Sequence, residues 1–399
     1  MDISAFEQLL TPEGQALLGE VGSADVSEPA LLATASRLRV HHSPEMVGAA
    51  LTQVRLRIRA RAKFPEDAER MYFTPAGLEQ ATRASVARHR AGRFAARLAG
   101  ASAGTVLDLG CGIGGDLMAR ARAGCRGLGV DLDPLTIAVA GANLRALGME
   151  GLATVREGDA TAQRPAGYAA VFADPGRRTS RGRVFDPEAY EPPLTTVLEI
   201  VEAAPAGCVK VAPGIPHDAI PPGAEAEWIS DGGEVKEAAL WLGGLAGDAR
   251  RRATLLREGS EPATLVADPL LGPPPVAAWR RYLYEPDGAV IRAHLVAEVA
   301  ARLDGALADP RIAYITTDTL RPTPFANAYE IQDVMPFSVK RLRAALRARD
   351  VGILTIKKRG FAADIDRLRR DLRPAGSRAC VLVLTRVGDA PVALICRAL

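Results

Sequence analysis

Residues 106–116 read Val106-Leu107-Asp108-Leu109-Gly110-Cys111-Gly112-Ile113-Gly114-Gly115-Asp116. Val106, Leu107 and Leu109 make a short buried strand that runs into a glycine-rich turn opening a helix. Glycine there lets the backbone pass close to a ligand where a Cβ would clash. The pattern Gly110-x-Gly112-x-x-Gly115 is by itself a weak nucleotide signal. Asp108 sharpens it. A dinucleotide turn carries phosphates, which a carboxylate two residues before the first glycine repels, whereas a ligand with a cationic amine favours that carboxylate.

S-adenosylmethionine (SAM) has such an amine, and a positive sulfonium besides. A nucleoside ligand also needs an acidic group at the tip of the next strand to hold its ribose hydroxyls. The strand 127–130 ends in Asp131, one helix and one strand after Gly115. Asp133-Pro134 then starts a helix over 135–147, with Asp as N-cap and Pro in the first turn. A third strand, 153–156, leads to Asp159, placed to accept a hydrogen bond from an adenine amino group. A fourth, 168–173, ends in Asp174-Pro175-Gly176-Arg177-Arg178.

This ordered set, Asp108/Gly110/Gly112, Asp131, Asp159 and Asp174-Pro175, resembles the motifs of class I SAM-dependent methyltransferases over about residues 100–245. The resemblance implies an α/β fold with a Rossmann-like seven-stranded sheet. It implies SAM as cofactor on Asp108, Gly110, Gly112, Asp131 and Asp159, with the methyl group facing Asp174 and Pro175. Asp174 is then the candidate to orient or deprotonate a substrate N–H or O–H. Methyltransferases of exocyclic base nitrogens often carry Asp/Asn-Pro-Pro-aromatic at this place. This chain has Asp-Pro-Gly-Arg, so the stacking aromatic is missing from the motif. Arg177 and Arg178 suit a phosphate or carboxylate instead. Cys208 has no Pro-Cys context, which disfavours carbon-5 pyrimidine chemistry.

The chain has 399 residues, which suggests two or three domains. Its formal charge is +3 and no apolar run reaches the length of a membrane span. The acidic N-terminus has no signal-peptide core, and five scattered cysteines without a CxxC pair fit reduced thiols in the cytoplasm rather than a disulfide or metal frame. The five histidines show no metal spacing, so no metal is expected.

Residues 1–98 read as a helical N-terminal region. The 44–62 helix sets Val47, Leu51, Val54 and Ile58 on one face and Arg55, Arg57, Arg59, Arg61 and Lys63 on the other. A single helix is expected from Thr74 or Pro75 to Leu98. Because it leads into the first strand, Tyr72 and Phe73 are placed to cover the adenine or stack on a substrate. The methyltransferase domain spans 99–245, a hairpin and linker 246–279, and a small α/β domain 280–399. In that last part helices 289–303 and 339–349 alternate with strands. From Lys340 to Arg373 there are 12 Lys/Arg against 4 Asp/Glu. Lys357-Lys358-Arg359-Gly360-Phe361 sets charge beside an aromatic, which suits a nucleic-acid backbone and a base. This half resembles the THUMP-like domain that follows the core in a bacterial methyltransferase family, and THUMP domains are RNA-binding modules. The combined expectation is an RNA methyltransferase acting on tRNA or rRNA at nitrogen or oxygen. The alternatives are methylation of a small acidic metabolite or a protein, or a non-catalytic SAM-binding interaction protein.

Overall fold

The computed structural model describes residues 2–98, 104–176, 178–179, 182–183 and 186–399. The chain divides into two units, Met1–Ala226 with Glu237–Asp248, and Glu227–Lys236 with Ala249–Leu399. The helical region therefore shares a unit with the first sheet rather than standing apart, and the expected 246–279 segment falls mostly in the second unit.

The first unit opens with α1 (Ile3–Leu9), α2 (Pro12–Gly22), α3 (Leu31–Leu38) and α4 (Pro44–Ala60). Asp2, Thr11 and Ser43 cap α1, α2 and α4 through side-chain oxygens, and proline follows two of these caps. On the apolar face of α4, Val47, Leu51 and Val54 are buried, while Ile58 near its end is exposed. Its basic face is tied down within the chain: Arg55 meets Glu28 at 3.0 Å, Arg61 meets Glu69 at 2.6 Å, and Arg57 Nε donates to the Met71 carbonyl at 2.9 Å. The single helix expected from residue 74 or 75 to 98 is two, α5 (Pro75–Gln80) and α6 (Ala84–Leu98). Ala81 leaves helical geometry at ψ 138°. Lys63 Nζ takes up the carbonyls of Leu78, Glu79 and Ala81 at 2.7–2.8 Å, which the broken helix leaves without partners.

The sheet strands of this unit are β1 (Val106–Leu109), β2 (Gly127–Asp131), β3 (Ala153–Glu157), β4 (Ala170–Ala173), β5 (Ala206–Val211), β6 (Glu225–Asp231) and β7 (Glu234–Gly243). Their order is β3-β2-β1-β4-β5-β7-β6. β7 runs antiparallel to β5, and the β1, β2, β3, β4 and β5 neighbours pair in parallel. The β6–β7 hairpin has its base in the first unit and its tip in the second. The resemblance implied a seven-stranded sheet; two further strands, 251–256 and 263–266, continue the same sheet beyond β6, so it has nine strands among the described residues. The order reverses at β1, which has β2 on one side and β4 on the other, and a crevice opens beyond the strand ends at such a point. α7 (Gly115–Arg122), α8 (Pro134–Ala146) and α9 (Leu194–Glu202) connect the strands. α1 to α5 share one core with α7 and α8, through residues such as Phe6, Val47, Phe73, Leu117 and Val139. Phe94, Phe172, Cys208 and Trp241 fill another.

In the second unit β8 (Arg251–Leu256) and β9 (Ala263–Val266) pair antiparallel. A further sheet follows, made of β10 (Tyr282–Pro286), β11 (Ala306–Leu307), β12 (Ile315–Thr317), β13 (Ala326–Pro336), β14 (Val351–Lys358), β15 (Arg378–Val387) and β16 (Ala390–Ala398), in the order β11-β12-β10-β13-β16-β15-β14. The helix expected over 289–303 is split into α10 (Gly288–Arg292) and α11 (Val296–Leu303), because His294 between them takes a left-handed φ of 55°. α12 (Val339–Ala348) and α13 (Ile365–Leu372) cover one face of the sheet through Leu342, Leu346, Leu368 and Leu372. Among the described residues no helix is long and apolar enough to cross a membrane.

Candidate active site

A cavity of about 1080 Å³ opens at the strand ends of the first unit. The turn after β1 forms its floor. Gly110, Gly112 and Gly114 have φ of 74°, 55° and 87°, where a side chain costs about 1–2 kcal/mol. A Cβ on Gly110 would lie 3.0 Å from the Asp174 carbonyl oxygen. A Cβ on Gly112 would meet nothing within 4 Å, because that position faces open space. The first turn of α7, with Gly115 and Asp116, also lines the cavity.

The acidic residues sit on strand tips around this turn. Asp131, ending β2, accepts from the Gly112 amide at 3.0 Å and the Asp133 amide at 3.1 Å. Asp159, beyond β3, is exposed and accepts from the amide and hydroxyl of Thr161, which hold its carboxyl below the usual range. Asp108, in β1, is fully buried. Its Oδ2 pairs with Arg120 of α7, while Oδ1 is buried with no hydrogen-bond partner. Burial pushes the Asp108 pKa up to about 6, more than Arg120 pulls it down.

Behind the cavity lies a set of buried charges that sequence reasoning did not foresee. Arg90 of α6 pairs with Asp116 and with Glu237 of β7, and its guanidinium lies over the Phe172 ring at 5.1 Å. Burial would raise Asp116, but Arg90, Lys210 and Arg120 outweigh it and hold the carboxyl at about 2. Lys210 of β5, itself buried, pairs with Asp174 Oδ2 and donates to Thr82 Oγ1 at 3.0 Å. Thr82 also accepts from Arg90 at 3.3 Å, so one hydroxyl joins the two groups of charges. Lys210 had a sequence signal: a lone lysine inside an apolar strand.

Two proteins of Mycobacterium tuberculosis, from strains CDC 1551 and H37Rv, are each 39% identical to this chain over 333 residues. The match covers 82% of this chain and 88% of the relative, and both are described as uncharacterized S-adenosylmethionine-dependent methyltransferases. The chain belongs to the S-adenosylmethionine-dependent methyltransferases. A solved structure of a candidate methyltransferase from Porphyromonas gingivalis W83 superposes with a TM-score of 0.72 over 93% of this chain and 99% of its own. At 22% identity that likeness concerns the fold. A family described as THUMP domain-like matches residues 326–398, and a domain of unknown function matches residues 2–60.

The cavity of this methyltransferase fits SAM on two observations. The buried, unpartnered Asp108 Oδ1 borders it, and an orphaned carboxylate oxygen has strong reason to accept from an ammonium. The open face of Gly112 leaves backbone where a ligand can approach. A volume of about 1080 Å³ is at the upper end for single-ligand sites and leaves room for an acceptor beside the cofactor.

Other expected site residues lie elsewhere. Tyr72 and Phe73 do not border the cavity. Both are buried in the helical core, Tyr72 edge-on to Phe6 at 5.7 Å and Phe73 against Phe64 at 5.9 Å. The segment reaches the cavity one step later, through Thr74 to Thr82. Asp174 and Pro175 line the cavity at the tip of β4. Arg177 lies outside the described residues, and Arg178 is described only as backbone, pairing with Arg183. In the second unit Lys357 is not an open cation. It pairs with Glu285 at 2.5 Å and lies 5.6 Å from the Tyr329 ring centre. Lys358 is exposed and donates to the Ala363 carbonyl at 2.7 Å.

Proposed function

We propose that this methyltransferase modifies RNA, at a nitrogen or oxygen, with its second unit holding the polynucleotide. The observation that carries the reading is the basic helical surface inside the THUMP domain-like region. Lys340, Arg341 and Arg347 of α12 and Arg367, Arg369 and Arg370 of α13 are all exposed. Such a surface gains affinity for a polyanion by releasing its counterions. Lys358 adds to it, while Lys357 serves Glu285. In the first unit Asp108 takes the methionine ammonium, the N-terminus of α7 its carboxylate, Asp131 the ribose and Asp159 the adenine. SAM supplies an activated methyl group on a sulfonium. The chain's part is alignment and proton handling. Lys210 holds one oxygen of Asp174, and the other, Oδ1, makes no hydrogen bond among the described residues. That oxygen orients the acceptor N–H or O–H. Pro175 fixes the backbone beside it, and Arg177 and Arg178, next in sequence, are the candidates to meet a phosphate.

The test is transfer of labelled methyl groups from SAM into RNA, protein and small-molecule fractions of cells lacking the protein. Label entering only protein or metabolites refutes the RNA reading. Asp174→Ala is expected to stop transfer while SAM still binds. Undiminished transfer by that variant removes Asp174 from the mechanism.

A further inference from the structure

Thr82 stands where the two groups of buried charges meet, and the chain fixes it from both sides. It is buried, borders the cavity and lies between α5 and α6, in neither helix. Just before it, Lys63 Nζ takes up the Ala81 carbonyl at 2.7 Å. Just after it, Arg83 Nη1 donates to the Ala62 carbonyl and the Ala84 amide to the Lys63 carbonyl, both at 2.9 Å. Two buried amides hold the segment that leads to α5. Gln53 of α4 donates to the Phe73 carbonyl at 2.6 Å and accepts from the Phe73 amide at 2.9 Å. Asn143 of α8 does the same for Tyr72, at 3.1 and 2.7 Å, and donates to the Ile113 carbonyl of the glycine turn at 2.9 Å. The helical region is thereby hydrogen-bonded to the segment that supplies the cavity wall at 74–82.

The Thr82 hydroxyl accepts from Lys210 Nζ at 3.0 Å and from Arg90 at 3.3 Å, which occupies both of its lone pairs. The two cations depend on it unequally. Arg90 is already held by Asp116 and Glu237. Lys210 pairs with Asp174, and the two stand side by side because Ala173 of β4 is in register with Val209 of β5. A lysine ammonium is a point charge on a flexible stem, and one partner does not fix it. The Thr82 hydroxyl gives it a second fixed point. We propose that Thr82 is a positioning residue of methyl transfer. It holds Lys210, and through Lys210 the Asp174 carboxylate, in the orientation that meets the acceptor, and Lys63 sets Thr82 in that place. Alignment of this kind is lost with a displacement of about 1 Å. The inference rests on the reading of Asp174 as the residue that meets the acceptor, whatever class of molecule the acceptor is.

The full-length native protein, Asp174→Asn, Thr82→Val and Thr82→Ser are compared with methyl-labelled SAM on RNA, protein and small-molecule fractions of a strain lacking the protein, using the fraction that the native protein labels. Valine keeps the shape of threonine and removes the hydroxyl. Thr82→Val is expected to lower kcat by about tenfold or more, with SAM affinity and acceptor KM alike within about threefold, and Thr82→Ser to restore most of the rate. Lys63→Met is expected to lower kcat as well and to add little to Thr82→Val in the double variant, because both act through one hydroxyl. A native rate in Thr82→Val beside an inactive Asp174→Asn overturns this inference alone, whereas native rates in both overturn the Asp174 reading with it. SAM affinity lost in step with the rate marks Thr82 as structural and overturns the inference, as does a Thr82→Ser no faster than Thr82→Val. Full additivity of Lys63→Met and Thr82→Val removes Lys63 from the proposal.

Discussion

Asp108 offers the sharpest quantitative test of how the cofactor is held. In the free protein its carboxyl is buried and titrates at about 6. Binding an ammonium at the orphaned Oδ1 requires the ionised form, so the free protein must release a proton before SAM binds at lower pH. The sign follows from linkage: affinity is level well above pH 6 and falls as pH drops through it. At pH 5 about one Asp108 in ten is ionised, so the dissociation constant should rise about tenfold over its value at pH 7, close to 1.4 kcal/mol. The ligand does not cause this, since an α-amino group stays protonated below about pH 7.7. Asp116, held at about 2, also stays ionised across this range. Nor does unfolding cause it. A carboxyl whose folded pKa lies above the unfolded value adds stability as pH falls from about 6 toward 3.8, the opposite sign to the loss of affinity. Calorimetric titration with SAM at pH 5, 6 and 7 reads the effect, and Asp108→Asn should bind weakly with no such dependence. Level affinity from pH 7 to 5 in the native protein would refute the placement of the ammonium on Asp108.

Three further outcomes follow from the same geometry. Gly112→Ala puts a methyl into the open space beside the turn at positive φ. It should cost about 1–2 kcal/mol of stability in urea unfolding yet weaken SAM binding by about tenfold or more, so equal affinity would show that the turn does not touch the ligand. Arg120→Met leaves Asp108 buried without its ion pair and should destabilise the protein by about 3–5 kcal/mol, read by the shift in urea midpoint; a shift within error would mean the pair is dispensable. Replacing Lys340, Arg341 and Arg370 with Ala should lower the salt dependence of RNA binding by about one unit of slope per lost phosphate contact, and an unaltered slope places the RNA elsewhere.

The turn and its strand-tip carboxylates were legible because the glycine spacing and the order of Asp108, Asp131, Asp159 and Asp174 are local properties of single strand–turn–helix steps. The parallel strands β1 to β5 followed from the same steps, whereas β8 and β9, expected as a separate hairpin, extend the same sheet. What sequence reasoning missed depends on contacts between distant segments. Arg90, Asp116 and Glu237 meet across 26 and 147 positions, and Lys210 reaches Asp174 across 36. No periodicity records such pairs. Tyr72 and Phe73 were misplaced for a related reason. The helix after them reads as continuous, but Lys63, in the turn that follows α4, takes up carbonyls at the break around Ala81, and Thr82 rather than the aromatics lines the cavity. The left-handed turn at His294 likewise has no signature in residue type.

Transfer of a methyl group from SAM to RNA in this cavity is proposed to depend on Asp174. The most direct measurement is a parallel assay of the native protein and Asp174→Asn with methyl-labelled SAM and total RNA from a strain lacking the protein, with SAM affinity measured on both. Label is expected in RNA with the native protein, with a loss of about 100-fold or more in the variant and SAM affinity alike within about threefold. Label absent from RNA in both, or equal in both, contradicts the proposal.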